Sequence, residues 1–189
     1  MSGTPQTVIL PYGQPVAIAG LATDSILSWS AVNKDPNSYN IAPGIGVTPD
    51  GSTQLGVMNF SANTQKLAGV ASVLQVYGPG SFGGIDQSST TKGYRPNVQF
   101  PLLLEGLVWV IMDGDATVVP NVSRGFVRFQ SDGVNNTLIG AFRTAQDGGT
   151  NCIDVTTEVL FKSPIVSAAD VLTGGTVKIC LAYISTSNK

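Results

Sequence analysis

Val177-Lys178-Ile179-Cys180-Leu181-Ala182-Tyr183-Ile184 is the stretch on which the fold class turns. Val177, Ile179, Leu181 and Tyr183 fall on one side of an extended chain; Lys178, Cys180, Ala182 and Ile184 fall on the other. A period of two belongs to a strand with one buried face, and Cys180 sits on the less apolar one. The same alternation runs through residues 152–162. There Ile153, Val155, Thr157, Val159 and Phe161 oppose Cys152, Asp154, Thr156, Glu158 and Leu160, and one continuous strand is expected. Leu107-Val108-Trp109-Val110-Ile111-Met112 is apolar on both faces, which places it centrally or under a covering element.

Working outward, further strands are expected at 15–19, 26–32, 54–60, 70–77, 125–130 and 137–142. Turn signals stand between them: Pro49-Asp50-Gly51, Asp132-Gly133, Asp147-Gly148-Gly149 and Gly174-Gly175. The 22 glycines and 11 prolines are spread along the whole chain, as in a many-turned β protein. One short helical turn is expected at 168–172, with Ser167 as its N-cap and Gly174 after it. The chain is therefore read as all-β. Its 189 residues suit one domain at 24–189, preceded by an arm and first strand at 1–23. A long connection rich in Gly, Ser and Pro at 78–101 interrupts the domain.

Composition excludes several classes of function. With 10 basic and 12 acidic residues the net charge is −2, and these charges are scattered singly. That offers no electrostatic footprint for nucleic acid or an anionic membrane. No apolar run approaches the ~20 residues of a membrane helix, and no secretory leader is expected. The absence of histidine removes Ser-His-Asp and Cys-His catalysis and His-based zinc sites together. Cys152 and Cys180 are expected to be reduced thiols of a protein that folds in a cytosol. A charged fraction of 12% is about half the usual quarter. On the roughly 8,500 Å² of surface expected for this mass it is sparse, which suggests that other protein covers much of the exterior.

The candidate chemical sites are weak. Gly78-Pro79-Gly80-Ser81-Phe82-Gly83 matches G-x-G-x-x-G, but Pro79 removes an amide and no helix pattern follows. Asp113-Gly114-Asp115 lacks the further acids of a calcium loop and is read as a hairpin turn. Asp154 and Glu158, four residues apart on one expected strand, would stand roughly 13 Å apart, too far for a glycosidase pair. No cofactor and no metal are expected. The informative oddity is the N-terminal stretch, which carries no charge before Asp24 and sets Val8, Ile9, Leu10 and Tyr12 among Pro5, Pro11 and Pro15. It suits either an edge strand of its own domain or an arm lying on a neighbouring subunit.

Leu10-Pro11-Tyr12-Gly13-Gln14-Pro15-Val16-Ala17-Ile18-Ala19-Gly20-Leu21, followed by Asp24-Ser25, resembles the start of tailed-phage structural cement proteins, the small capsid decoration proteins. Pro43-Gly44-Ile45-Gly46-Val47, Lys66-Leu67-Ala68-Gly69-Val70-Ala71, Leu104-Glu105-Gly106-Leu107-Val108-Trp109-Val110 and Gly125-Phe126-Val127-Arg128-Phe129 resemble later strands of that family, in order. Residues 78–101 and 151–172 are longer than the family pattern, and Tyr94-Arg95-Pro96-Asn97 stands where a Pro-Gly turn is usual. The resemblance implies a compact β-barrel or β-tulip-like domain, with an extended N-terminal arm, on the outer surface of a phage head. It implies clamping of adjacent major capsid proteins, self-association as a homotrimer or else a dimer, and assembly in the host cytoplasm. Under that reading the capsid or inter-subunit contacts are Val8, Ile9, Leu10, Pro11, Tyr12, Gln14, Pro15, Phe82 and Tyr94. Two alternatives stay open. A virion fibre or receptor-binding module would stack a host glycan on Tyr77, Phe82 or Tyr94. A hydrolase, the less favoured since no enzyme activity is expected, would draw on Glu105, Asp113, Asp154 and Glu158.

Overall fold

The fold is that of a computed structural model, described for residues 19–73, 85–86, 93–114, 116–133, 138–146, 151–169 and 176–186. Its strands are β1 (Ala22–Asn33), β2 (Gly46–Pro49), β3 (Gly56–Met58), β4 (Gly69–Ala71), β5 (Ile85–Asp86), β6 (Gly93–Tyr94), β7 (Gln99–Ile111), β8 (Phe126–Arg128), β9 (Phe142–Arg143), β10 (Cys152–Asp154), β11 (Val159–Phe161), β12 (Val166–Ala169) and β13 (Thr176–Ser185). No helix occurs among the described residues.

Five strands close a barrel in the order β1-β3-β2-β4-β7, with β7 returning to pair β1. The ring is antiparallel except at β1–β3, where Val32 faces Gly56 and Asn33 faces Val57 in parallel register. β7 is the spine of the molecule. One edge takes β1 from Ala22 to Val32; the other takes β4 at Leu102 and Leu103, then β13 from Glu105 to Ile111. β11 and β12 both add to β13, and a separate sheet, β10-β8-β9, packs beside the barrel.

The switch along β7 happens at Gly106, whose φ of 138° lies in a region that side chains with a Cβ rarely adopt. Before it, Phe100, Leu102 and Leu104 belong to the barrel core with Val47, Val57 and Ala71. Beyond it, Val108, Val110 and Met112 turn to a second core, under Val127 and Phe142 and against Cys180, Ala182 and Ile184. The pairing with β1 is irregular just there, with register shifts between Ser25 and Leu27 and between Leu27 and Ser28. A bulge of this kind bends the strand and lets one element line two cores.

Several expectations are corrected. Residues 152–162 are two strands in different sheets, because the chain turns at 156–158 and Glu158 N and Val159 N both bond back to Val155 O. In β13 the continuous buried row is Cys180, Ala182 and Ile184; on the other side Ile179 is fully buried in the barrel core, whereas Val177, Leu181 and Tyr183 are half-buried. The row of Cys180, Ala182 and Ile184 faces the second core, beside Val108 and Val110 of β7. The helical turn expected at 168–172 is absent at its start: Ala168 and Ala169 are strand, paired with Val177 and Thr176, while 170–172 lie outside the described residues. The connection at 78–101 contains β6 and the first residues of β7. The strand expected at 15–19 falls outside the described residues except for Ala19, which stands in a turn.

Candidate functional site

The barrel is filled unevenly. At one level Tyr94 and Phe100 stack with ring centroids 4.7 Å apart, and the Tyr94 hydroxyl donates to Ser72 O at 2.7 Å. Burial pushes the Tyr94 phenol well above its ordinary pKa. One level on, Ala31, Val57, Leu102 and Leu104 border an apolar hollow of about 390 Å³ that opens to solvent. Trp29 and Ala31, two apart along β1, both face this hollow, and Leu27, beyond the register shift, lines it as well. Trp29 and Leu55 stand at its mouth, 46% and 45% exposed. The wall formed by Lys66, Leu67 and Ala68 is fastened by Thr186, whose hydroxyl donates to Ala68 O at 3.0 Å and Leu104 O at 3.1 Å.

The hollow exists because β3 is three residues long. Val32 N donates to Leu55 O, and Lys34 N to Val57 O, so the even-numbered backbone groups here point toward β3. By the same alternation the amides and carbonyls of Ser28 and Ser30 point that way too, where β3 no longer runs. Among the described residues nothing pairs with that edge of β1. An open edge beside an apolar hollow with a half-exposed tryptophan is a ready surface for an added strand. Sequence reasoning missed it. The signal was Leu27-Ser28-Trp29-Ser30-Ala31, where apolar side chains alternate with serine.

A second cluster is structural. Asp113, 3% exposed, lies two residues beyond the end of β7 and receives two arginines on one oxygen. Arg128 Nε and Arg143 Nη1 each donate to Asp113 Oδ2 at 2.9 Å. Arg128 Nη1 also donates to Gln130 O, and Arg143 Nε to Ala145 O. The cluster ties the end of the spine to β8 and β9, alongside Asp113 N donating to Phe142 O at 2.8 Å. The 113–115 turn is thus an anchor point as well as a turn, with Asp115 outside the described residues. The arginine inside Phe126-Val127-Arg128-Phe129 was the available signal.

The other acids do not converge. Glu105 accepts from the Tyr183 hydroxyl at 3.0 Å, which raises the Tyr183 pKa. Asp154 is exposed, bonded to Thr156 and paired with Arg124; the Thr156 bond leads in lowering its pKa, helped by Arg124. Glu158, buried on the turn before β11, accepts from Thr157. Among the described residues no group of three or more His, Cys, Asp or Glu is placed to hold a metal. Cys152 and Cys180 are both buried thiols outside any disulfide, and burial raises the Cys180 thiol pKa. Of the expected contact residues, Tyr94 is corrected: at 2% exposure, under Phe100 and bonded to Ser72, its ring has no face left for a partner. Val8, Ile9, Leu10, Pro11, Tyr12, Gln14, Pro15 and Phe82 lie outside the described residues, as do Tyr77 and the glycine motif at 78–83.

No family model matches the sequence, and no curated protein matches it. The fold is similar to that of a chain in the solved structure "The capsid of Myoviridae Phage XM1", with a TM-score of 0.51 and 14% identity, over 95% of this chain and 97% of that one. The similarity runs nearly end to end in both chains, so it covers the outer sheets as well as the barrel.

Proposed function

We propose that this chain is a structural protein of a phage virion, and specifically a decoration protein that sits on the outside of the head and clamps adjacent major capsid proteins. The observation that carries the reading is the end-to-end likeness in fold to a chain of a phage capsid. The sparse charge, the scattered and individually engaged acids and the uncharged stretch before Asp24 favour a role in assembly over catalysis. In this reading Val8, Ile9, Leu10, Pro11, Tyr12, Gln14, Pro15 and Phe82 contact the shell or a neighbouring subunit, and the protein works as a homo-oligomer, a trimer in preference to a dimer. It is assembled onto heads in the host cytoplasm and needs no cofactor or nucleic acid.

The test is to mix the purified protein with expanded heads that lack it and follow co-sedimentation. Saturable binding at a fixed number of copies per capsid, with heads that then resist heat longer, is the expected result. Absence of binding to heads, together with binding to host cells, would replace this reading with that of a receptor-binding module.

A further inference from the structure

We propose that the open edge of β1 and the hollow behind it receive the uncharged segment 1–18 of a second copy of this chain, added as an extended strand. The acceptor side combines backbone groups at Ser28 and Ser30 that nothing pairs among the described residues, an apolar hollow of about 390 Å³, and the exposed Trp29 and Leu55 at its mouth. Strand addition of this kind takes affinity from main-chain hydrogen bonds and specificity from pockets for alternate side chains. A large aromatic at the centre of an apolar recess is the usual anchor of such a contact.

The occupant has to be extended, apolar and free of charge, since Lys66 is the single charged side chain lining the hollow. Residues 1–18 meet each demand. They contain no charged side chain, and Gln6-Thr7-Val8-Ile9-Leu10 forms a proline-free run between Pro5 and Pro11 in which every amide is available to a ladder. Laid as a strand, Val8 and Leu10 share one face and reach the hollow together.

Attachment favours a second copy over the same chain. Where the described chain begins, Gly20 N donates to Trp109 O and Trp109 N donates to Leu21 O, so the chain runs in line with β1 at the end remote from the hollow. Ser30 lies ten residues beyond Gly20, about 33 Å further along at ~3.3 Å per residue. The chain's own segment would have to reverse and retrace β1, whereas a neighbour's needs no reversal.

The test uses the full-length chain. Sedimentation over about 1 to 100 µM is expected to show self-association, weakened at least tenfold by Trp29→Glu on the acceptor and by Leu10→Glu on the segment. Trp29 is exposed enough for its replacement to leave the fold intact, which the melting temperature of the variant checks. A benzophenone amino acid at position 10, in chains mixed with isotopically heavy chains, then reports the contact. Cross-links from position 10 to heavy-chain peptides spanning 27–31, 54–57 or 66–68 are expected. A monomer at every concentration overturns the proposal, and so does unchanged association of Trp29→Glu. Cross-links confined to monomer-sized species, or lying elsewhere on the heavy chain, overturn it equally. Binding to heads is a separate measurement: a monomer that still decorates heads ends this proposal and leaves the decoration reading standing.

Discussion

Replacing Asp113 with alanine removes the one carboxylate oxygen that Arg128 and Arg143 share. The Asp113 side chain is 2% exposed, and those of the arginines are 0% and 7%. Both guanidinium groups would then lose that shared partner at the junction of the spine with β8 and β9. Breaking a buried pair by removing one partner costs about 3–5 kcal/mol. That is a large share of the roughly 5–15 kcal/mol of a typical domain. At this chain length each kcal/mol moves the melting temperature by about 2–4 °C, so a drop of roughly 6–20 °C is expected. Asp113→Asn keeps the shape and an acceptor but loses the charge, and should fall between the two. Thermal unfolding followed by circular dichroism, with a chemical denaturation series as a check, reads both. A loss below about 1 kcal/mol for Asp113→Ala would refute the assignment of the cluster as an anchor, because solvent would then be compensating the arginines.

Gly106→Ala forces a Cβ into a backbone region at φ 138° and should cost about 1–3 kcal/mol by denaturant titration. Deleting residues 1–15 should leave the melting temperature of the monomer, compared at a concentration too low for self-association, nearly unchanged while reducing occupancy on heads; a large loss of stability instead would make the segment an edge strand of its own barrel. Tyr94 has a folded pKa raised by burial, so its contribution is complete below about pH 10, the unfolded value, and is lost as pH rises toward the folded value. The wild type should therefore lose stability above about pH 10 more steeply than Tyr94→Phe, by up to about 1.4 kcal/mol per pH unit. Calcium or zinc should leave the melting temperature where it is, and a clear rise would reveal a site that the described residues do not form.

The parts of the fold carried by local pattern were legible in the sequence. Residues 107–112 and 177–183 read as core strands and are core strands, since alternation and apolar runs act within a few residues. What failed depends on distant partners. The 152–162 run has a strand's alternation throughout, yet Gly125 O bonds Val155 N and the chain turns at Thr156 to reach a different sheet. Hydrophobicity along β13 favours the side with Leu181 and Tyr183; the structure instead turns Cys180, Ala182 and Ile184 to the second core, whose other walls come from strands distant in sequence. The mouth of the barrel was illegible for a related reason. Nothing in Leu27-Ser28-Trp29-Ser30 says that the neighbouring strand stops after three residues.

β7 also orders events during synthesis. Every strand of the barrel ring has left the ribosome once Ile111 has emerged, so the ring can close while the rest of the chain is still being made. Its outer apolar face, with Leu103, Val108 and Val110, stays uncovered until β8 and β9 bring Val127 and Phe142 over it, and the other edge of the spine stays unpaired until β13, the last described strand, docks there. Partly made chains crowded on one message therefore expose the same sticky strip, and an unpaired strand edge beside it is the usual starting point for aggregation. Slower elongation or premature termination between residues 111 and 176 should thus lower soluble yield more than equal disturbance earlier in the chain.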